Sequence, residues 1–309
     1  MIKKRVLIII FMIMLVFLVA GCNRLQSSKQ KAVDTARGNV LLDKVYIGTK
    51  GITMTYMKNS PPRRIYDSNN INLLLELKNQ GAHATDGKIF LTGYDPKIIK
   101  GIDPEKRFRQ LEGKSKFNSE GDLEVLEFNS NTIRLPKGTD IYPVRFLASM
   151  CYQYETLANP IVCIDPKFYD VSVEEKACQV RDVPMGGGQG APISVRNVRV
   201  DTIKDKAHFK IEIENAAKGK VVRYNDCPLN LKYDDLNKIK YQVTLAGDRP
   251  EKCTPQTEVR MVNNKATIIC TFRIPNQNKY AYSTPLEIKL NYGYMDSVVQ
   301  DVEIVKIPS

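Results

Sequence analysis

Cysteine is the residue type whose number and spacing in this sequence point most directly to chemistry. The chain has 309 residues and seven cysteines, and the first of them, Cys22, ends the apolar stretch LVFLVAGC. The other six are Cys151, Cys163, Cys178, Cys227, Cys253 and Cys270. An even number of cysteines in an exported chain indicates disulfide bonds, and six cysteines allow fifteen complete pairings.

The spacing of the six cysteines suggests how they pair. We predict the bonds Cys163–Cys178, Cys253–Cys270 and Cys151–Cys227. The first pair brackets a short segment, and the second flanks two β-rich runs that meet at Asn263-Asn264, a hairpin turn. The third pair follows by elimination. Zinc is the competing chemistry, but no two of these cysteines have the C-x-x-C spacing.

Other residues that could do chemistry are few. The two histidines, His83 and His208, stand alone, and the sequence contains neither G-x-S-x-G nor H-E-x-x-H. Acidic side chains that could hold calcium or serve a glycosidase are Asp95, Asp103, Asp234 and Asp235. Turn positions and solvated charges explain these acids equally well. We therefore expect no enzyme, no metal and no cofactor.

The N-terminus has the three parts of a signal peptide. Three basic residues at 3–5 precede the apolar run Val6 to Ala20, and small residues lead to Cys22. The apolar run is shorter than the roughly 20 residues of a membrane-spanning helix. We predict a signal peptide at 1–21 and a polar tether at 22–38; an uncleaved signal anchor is the alternative.

The four residues Val19-Ala20-Gly21-Cys22 resemble the lipobox of prokaryotic lipoproteins. The resemblance implies that a signal peptidase cuts before Cys22 and that this cysteine carries a lipid. The protein is then anchored to the cell membrane on its extracytoplasmic side. The formal net charge is +12, or about +9 without the leader, which favours an anionic polymer as a partner over long range and does not argue for nucleic acid.

The body of the chain is a succession of short β-rich runs. Stretches such as FKIEIEN and LEIKLNY alternate apolar and polar residues, which is the pattern of strands with one face on a core. Turn residues separate the runs, and helical periodicity is nearly absent. We therefore predict an all-β fold of antiparallel sandwiches.

Three pairs of motifs recur at nearly one spacing. Asn79 matches Asn215, TIRLP at 132–136 matches TFRIP at 271–275, and Tyr-x-Tyr at 152–154 matches the same motif at 292–294. The offsets are 136, 139 and 140 residues. This repetition predicts two tandem Ig-like domains, 39–165 and 191–309, joined by a disulfide-braced, glycine-rich linker at 166–190 with a hinge at Met185 to Gln189.

The repeated tyrosines have two interpretations. Tyr152, Tyr154, Tyr292 and Tyr294 place their rings on one face of a strand. They form either an aromatic strip for a carbohydrate or core packing that recurs because the fold recurs.

The segments KNQGAHATDGKIFLTGYDP, CYQYET and GQGAPISV together resemble Ig-like, adhesion-type surface lipoproteins of small-genome archaea. The resemblance implies fold and place and carries no catalytic residue onto this chain. We expect a non-enzymatic, lipid-anchored protein that presents two Ig-like domains to a partner in the envelope. The alternatives are a subunit of an envelope or pilus-like assembly and a carbohydrate- or solute-binding lipoprotein.

Overall fold

The alternating runs of the sequence form strands in the computed structural model, which describes residues 46–169, 176–203, 205–224, 227, 231–274 and 280–307. The described residues all belong to one compact unit. They contain no α-helix; a single 3-10 turn spans Tyr233–Asp235. The strands are β1 (Ile52–Tyr56), β2 (Arg64–Tyr66), β3 (Asn72–Asn79), β4 (Thr85–Thr92), β5 (Ile99–Lys100), β6 (Glu105–Leu111), β7 (Leu123–Asn129), β8 (Thr132–Ile133), β9 (Ile141–Ala158), β10 (Ile161–Ile164), β11 (Val183–Pro184), β12 (Ile193–Ile203), β13 (Lys206–Asn215), β14 (Lys220–Val222), β15 (Lys238–Leu245), β16 (Lys252–Thr254), β17 (Glu258–Arg260), β18 (Lys265–Arg273) and β19 (Tyr282–Val305).

The strands form a large central sheet and three smaller ones. The central sheet has the order β17-β15-β19-β9-β4-β6, and β2, β10 and β14 also pair with β19. The smaller sheets are β1-β3-β7, β11-β12-β13-β18-β16 and β5-β8. The strand pairs are antiparallel apart from β2, which runs parallel to β19. The all-β prediction is confirmed, and the arrangement is that of sheets packed face to face.

The centre of the molecule is the pairing of β9 with β19. Residues 141–158 pair with residues 288–305 in one unbroken antiparallel register. Strand β9 belongs to the first sequence repeat and β19 to the second. The two repeats therefore share one sheet.

The smaller sheets bury their apolar faces. In β3, Leu73, Leu75 and Leu77 are fully buried, and β13 buries every second residue. These side chains belong to one continuous hydrophobic cluster with the inner face of β9 and β19. Period-two alternation thus places the apolar side chains of each strand on the one face that packs against the core.

The glycine-rich segment is held at both ends by hydrogen bonds. The Gly48 N–H donates to the Gly187 carbonyl (2.6 Å), and the Ala82 N–H donates to the Gly190 carbonyl (2.7 Å). The buried Gln189 side chain exchanges two hydrogen bonds with the backbone of Val195. These hydrogen bonds join the segment Met185 to Gln189 to the first repeat and to β12; the hinge expected there stays a prediction.

Each repeat carries the same buried asparagine network. The Asn79 amide donates to the carbonyls of His83 and Leu111 (2.8 and 2.9 Å), and its oxygen accepts from the Gly81 N–H and the Tyr154 hydroxyl. In the second repeat, the Asn215 amide donates to the Gly219 carbonyl (2.9 Å), and its oxygen accepts from the Ala217 N–H and the Tyr294 hydroxyl. Each side chain closes the turn after its strand and ties that turn to a tyrosine.

We expect Asn215→Ala to lower the free energy of unfolding by about 1–3 kcal/mol, because it leaves buried backbone groups without a partner. The measurement is urea denaturation of the purified protein. The control is Asn72→Ala on β3, an exposed asparagine, which we expect to change stability by less than about 0.5 kcal/mol. Equal effects of the two substitutions would contradict the structural role of the network.

Candidate functional site

The four repeated tyrosines lie together inside the core. Tyr152 pairs with Tyr294 and Tyr154 pairs with Tyr292 across the β9–β19 register. Neighbouring ring centroids are 5.6–6.4 Å apart, and each side chain is at most 3% exposed. A carbohydrate cannot reach these rings, so this tyrosine cluster is the core packing of the second interpretation.

Each hydroxyl of the tyrosine cluster is bonded to the backbone of another strand or turn. This is what a phenol requires when it leaves water. The N–H donors are Ile52 to Tyr152 (3.1 Å), His83 to Tyr154 (3.2 Å), Ile193 to Tyr292 (3.3 Å) and Gly219 to Tyr294 (2.8 Å). The cluster therefore positions the first strand of each repeat, β1 or β12, and the turn that follows β3 or β13.

Burial raises the pKa of all four cluster hydroxyls above that of an exposed tyrosine, because the phenolate loses its hydration. The folded protein thus retains protons that the unfolded chain releases above about pH 10. Stability contributed by the protonated hydroxyls is fully present below that pH and is lost as pH rises towards the folded pKa.

We expect the free energy of unfolding to fall above about pH 10 by up to about 1.4 kcal/mol per pH unit for each buried tyrosine. Urea denaturation at several alkaline pH values measures the slope. Tyr152→Phe removes one titrating group and should make the slope shallower than in the wild type. A slope unchanged by this substitution would contradict the attribution of the alkaline loss of stability to the buried tyrosines.

Three disulfide bonds connect the described strands. They are Cys151–Cys227, Cys163–Cys178 and Cys253–Cys270, the same pairs that the sequence analysis named. The first joins β9 to the loop after β14, across the two repeats. The second ties β10 to the following segment, and the third joins directly opposed residues of β16 and β18.

We expect loss of the Cys151–Cys227 bond to cost more stability than loss of the Cys253–Cys270 bond. The bonds close loops of 76 and 17 residues, and loop-closure entropy gives about 4.5 and about 3 kcal/mol respectively as upper estimates. The double variants Cys151→Ala/Cys227→Ala and Cys253→Ala/Cys270→Ala, compared by urea denaturation, test the ranking. The reverse order would show that native packing, not loop length, dominates.

The acidic candidates are engaged locally in turns and ion pairs. The carboxylates of Asp95 and Asp103 accept from backbone N–H groups two residues further on. Asp234 pairs with Arg260, and Asp235 accepts from the Lys232 N–H. Within the described part of the chain, no group of three or more His, Cys, Asp or Glu side chains could hold a metal ion.

The two histidines also have local contacts. The backbone N–H of His83 donates to the cluster hydroxyl of Tyr154. The Nδ1 atom of His208 lies 3.0 Å from the Thr271 hydroxyl oxygen. Cys22, the predicted lipid attachment site, lies outside the described residues. No helix in the described ranges is long and apolar enough to cross a membrane.

A feature that sequence reasoning missed is an unpaired stretch of β19. On the side opposite β9, β14 pairs with residues 293–295 and β2 pairs with residues 303–305. Among the described residues, no strand pairs with the stretch Asp296–Val302 on this side. We call Ser297–Asp301 the open edge.

In the open edge, the backbone N–H and C=O groups of every second residue point away from β9. The Glu303 N–H donates to the backbone carbonyl of Arg63 rather than to β9. In an antiparallel ladder, the backbone N–H and C=O groups of alternate residues point to the same side of the strand. The backbone groups of Ser297, Val299 and Asp301 therefore point away from β9, as those of Glu303 do. The Ser297 N–H bonds to the Asp296 carboxylate. In the described part of the protein, the N–H groups of Val299 and Asp301 have no partner.

A groove of about 960 Å³ lies beside the open edge. Its lining includes the ion pairs Arg145–Asp301 (2.7 Å) and Arg64–Glu303 (2.9 Å). Arg63 also lines the groove and has no acidic partner among the described residues. This combination of unpaired strand donors, charges and an exposed Val299 is the candidate interaction site.

No protein-family model and no curated protein sequence matches this chain. Among solved structures, the chain is similar to the secreted serine protease VesC from Vibrio cholerae at 8% identity and a TM-score of 0.20, covering 84% of this chain and 52% of the protease. It is also similar to the CupB6 tip adhesin from Pseudomonas aeruginosa at 14% identity and a TM-score of 0.14, covering 84% of this chain and 97% of the adhesin. The chain spans about half the length of the protease.

These comparisons correct one expectation. We expected a protein that is not an enzyme, and the match to a secreted serine protease contradicts this expectation. At a TM-score of 0.20 the match assigns no protease activity to this chain, and neither comparison supports an argument about fold.

Proposed function

We propose that the protein is a lipoprotein, anchored through Cys22 on the extracytoplasmic side of the cell membrane, that presents two Ig-like domains to a protein partner in the envelope. The polar tether holds the domains away from the lipid surface. The resemblance of the sequence to Ig-like surface lipoproteins of small-genome archaea is one of the grounds for this proposal. An anionic polymer is a further partner that the basic charge favours.

The observation that carries the proposal is the combination of a lipobox with three disulfides in the body of the chain. Disulfides persist in oxidising compartments outside the cytosol. A leader that directs export and a body braced for an oxidising environment support the same location independently.

Two features support the Ig-like assignment. Sheet β1-β3-β7 faces β9-β4-β6 in the first repeat, and β12-β13-β18 faces β19-β15-β17 in the second. The asparagine and tyrosine contacts recur at matching positions in both repeats. Two short antiparallel sheets packed over a shared core are the architecture of such domains.

The interaction role rests on the unpaired backbone at the open edge. An exposed sheet edge offers main-chain hydrogen bonds to an extended segment of another protein. Proteins ordinarily cover or charge such edges because they promote association.

We expect the membrane-extracted protein to have the mass of residues 22–309 plus lipid. Six cysteines should react with an alkylating agent only after reduction, because all six are in disulfides. The Cys22→Ala variant should lack the lipid mass, and it should no longer be found in the membrane fraction as a lipid-modified protein. The measurement is intact-protein mass spectrometry of fractionated cells.

The matched control is Gln26→Ala in the tether, which should keep the lipid. An unprocessed chain that begins at Met1 would contradict the anchor. Free thiols before reduction would contradict the oxidised framework.

A further inference from the structure

We propose that the open edge of β19 binds an extended segment of a partner protein as an added β-strand, and that this segment carries an acidic side chain at the end beside Arg63. The inference rests on the proposed function and names the class of partner for it.

The open edge has the length and the free groups that an added strand needs. Strand pairing on this side stops at Met295 and resumes at Glu303, a separation of about 26 Å at about 3.3 Å per residue. A segment of about five residues fits between β14 and β2. The N–H groups of Val299 and Asp301 and the carbonyls of Ser297 and Val299 face it.

Within the described residues, a proline blocks the corresponding edge of β9, whereas nothing comparable blocks the open edge of β19. Strand β4 covers β9 only from Leu147 onward. Before that point Pro143, opposite Glu303, has no N–H to offer. The stretch Ser297–Asp301 contains no proline. Side chains protect another edge: Lys106 and Arg109 of β6 donate to the carbonyls of Glu127 and Leu123 on β7.

Charge selects the end of the open edge at which the segment's acidic side chain lies. Asp301 and Glu303 are already paired with arginines, and Arg63 is the cation that remains unpaired among the groove's described residues. At the opposite end, the Asp296 carboxylate disfavours a second acid. Between the ends, Val299 is 48% exposed and favours an apolar neighbour on the outward face. The segment is therefore acidic at one end and uncharged in its middle.

The test uses the full-length protein in detergent and blocked seven-residue peptides of alternating threonine and valine. Each peptide carries one glutamate, at its N-terminal or its C-terminal end, so that both directions of the added strand, parallel and antiparallel to β19, are tested. Amide hydrogen exchange of Val299 and Asp301 is measured with up to 1 mM peptide. We expect one of the two peptides to slow exchange of both amides at least tenfold.

Variants separate strand addition from other binding. Val299→Pro removes the outward N–H without removing a bond to β9, so it should keep the unfolding midpoint and weaken binding at least tenfold. Val299→Thr retains the N–H and should bind within threefold of wild type. Arg63→Glu should prefer a peptide with lysine in place of glutamate.

Three results would overturn the proposal: no protection at 1 mM of either peptide, equal binding by Val299→Pro and wild type, or protection without peptide that rises with protein concentration. The last would show that a second copy occupies the edge. Each of these leaves the lipid mass and membrane location unaffected, so failure of the added strand is distinguishable from failure of the anchor.

Discussion

The pairing of β9 with β19 is the constraint on which the rest of this structure depends. It joins the two sequence repeats into one sheet, and it brings four tyrosines to one buried point. Their hydroxyls then bind the first strand of each repeat, β1 or β12, and the turn that follows β3 or β13. Packing of the smaller sheets on the central one is thereby coupled to the register of a single strand pair.

The repetition extends to individual hydrogen bonds. Asn79 with Tyr154 and Asn215 with Tyr294 make equivalent contacts about 140 residues apart. A buried amide that closes a turn leaves few substitutions that satisfy the same donors and acceptors. Such positions keep matching residues because each side chain meets the same local requirement, which is why short motifs revealed the sequence repetition.

The central pair also decides which backbone groups of the described strands stay unpaired. Strands β4, β14, β15 and β2 cover most of the outer sides of β9 and β19, while proline and basic side chains protect other edges. The open edge is the stretch that these devices leave accessible. An interaction site of this kind consists of backbone groups and the charges beside them.

The sequence by itself indicated most of the longer strands, the recurring motifs and the candidate cysteine pairs, because alternation, turn residues and spacing are local properties. It also predicted the leader and Cys22, which lie outside the described residues. It did not reveal the bonded glycine segment or the open edge of Ser297–Asp301. Both depend on which strand lies beside which, and neighbours about 150 residues apart are chosen by packing and hydrogen-bond register. Only the tertiary structure decided that the four tyrosines are buried in the core and that the accessible hydrogen-bonding groups are backbone groups at a sheet edge.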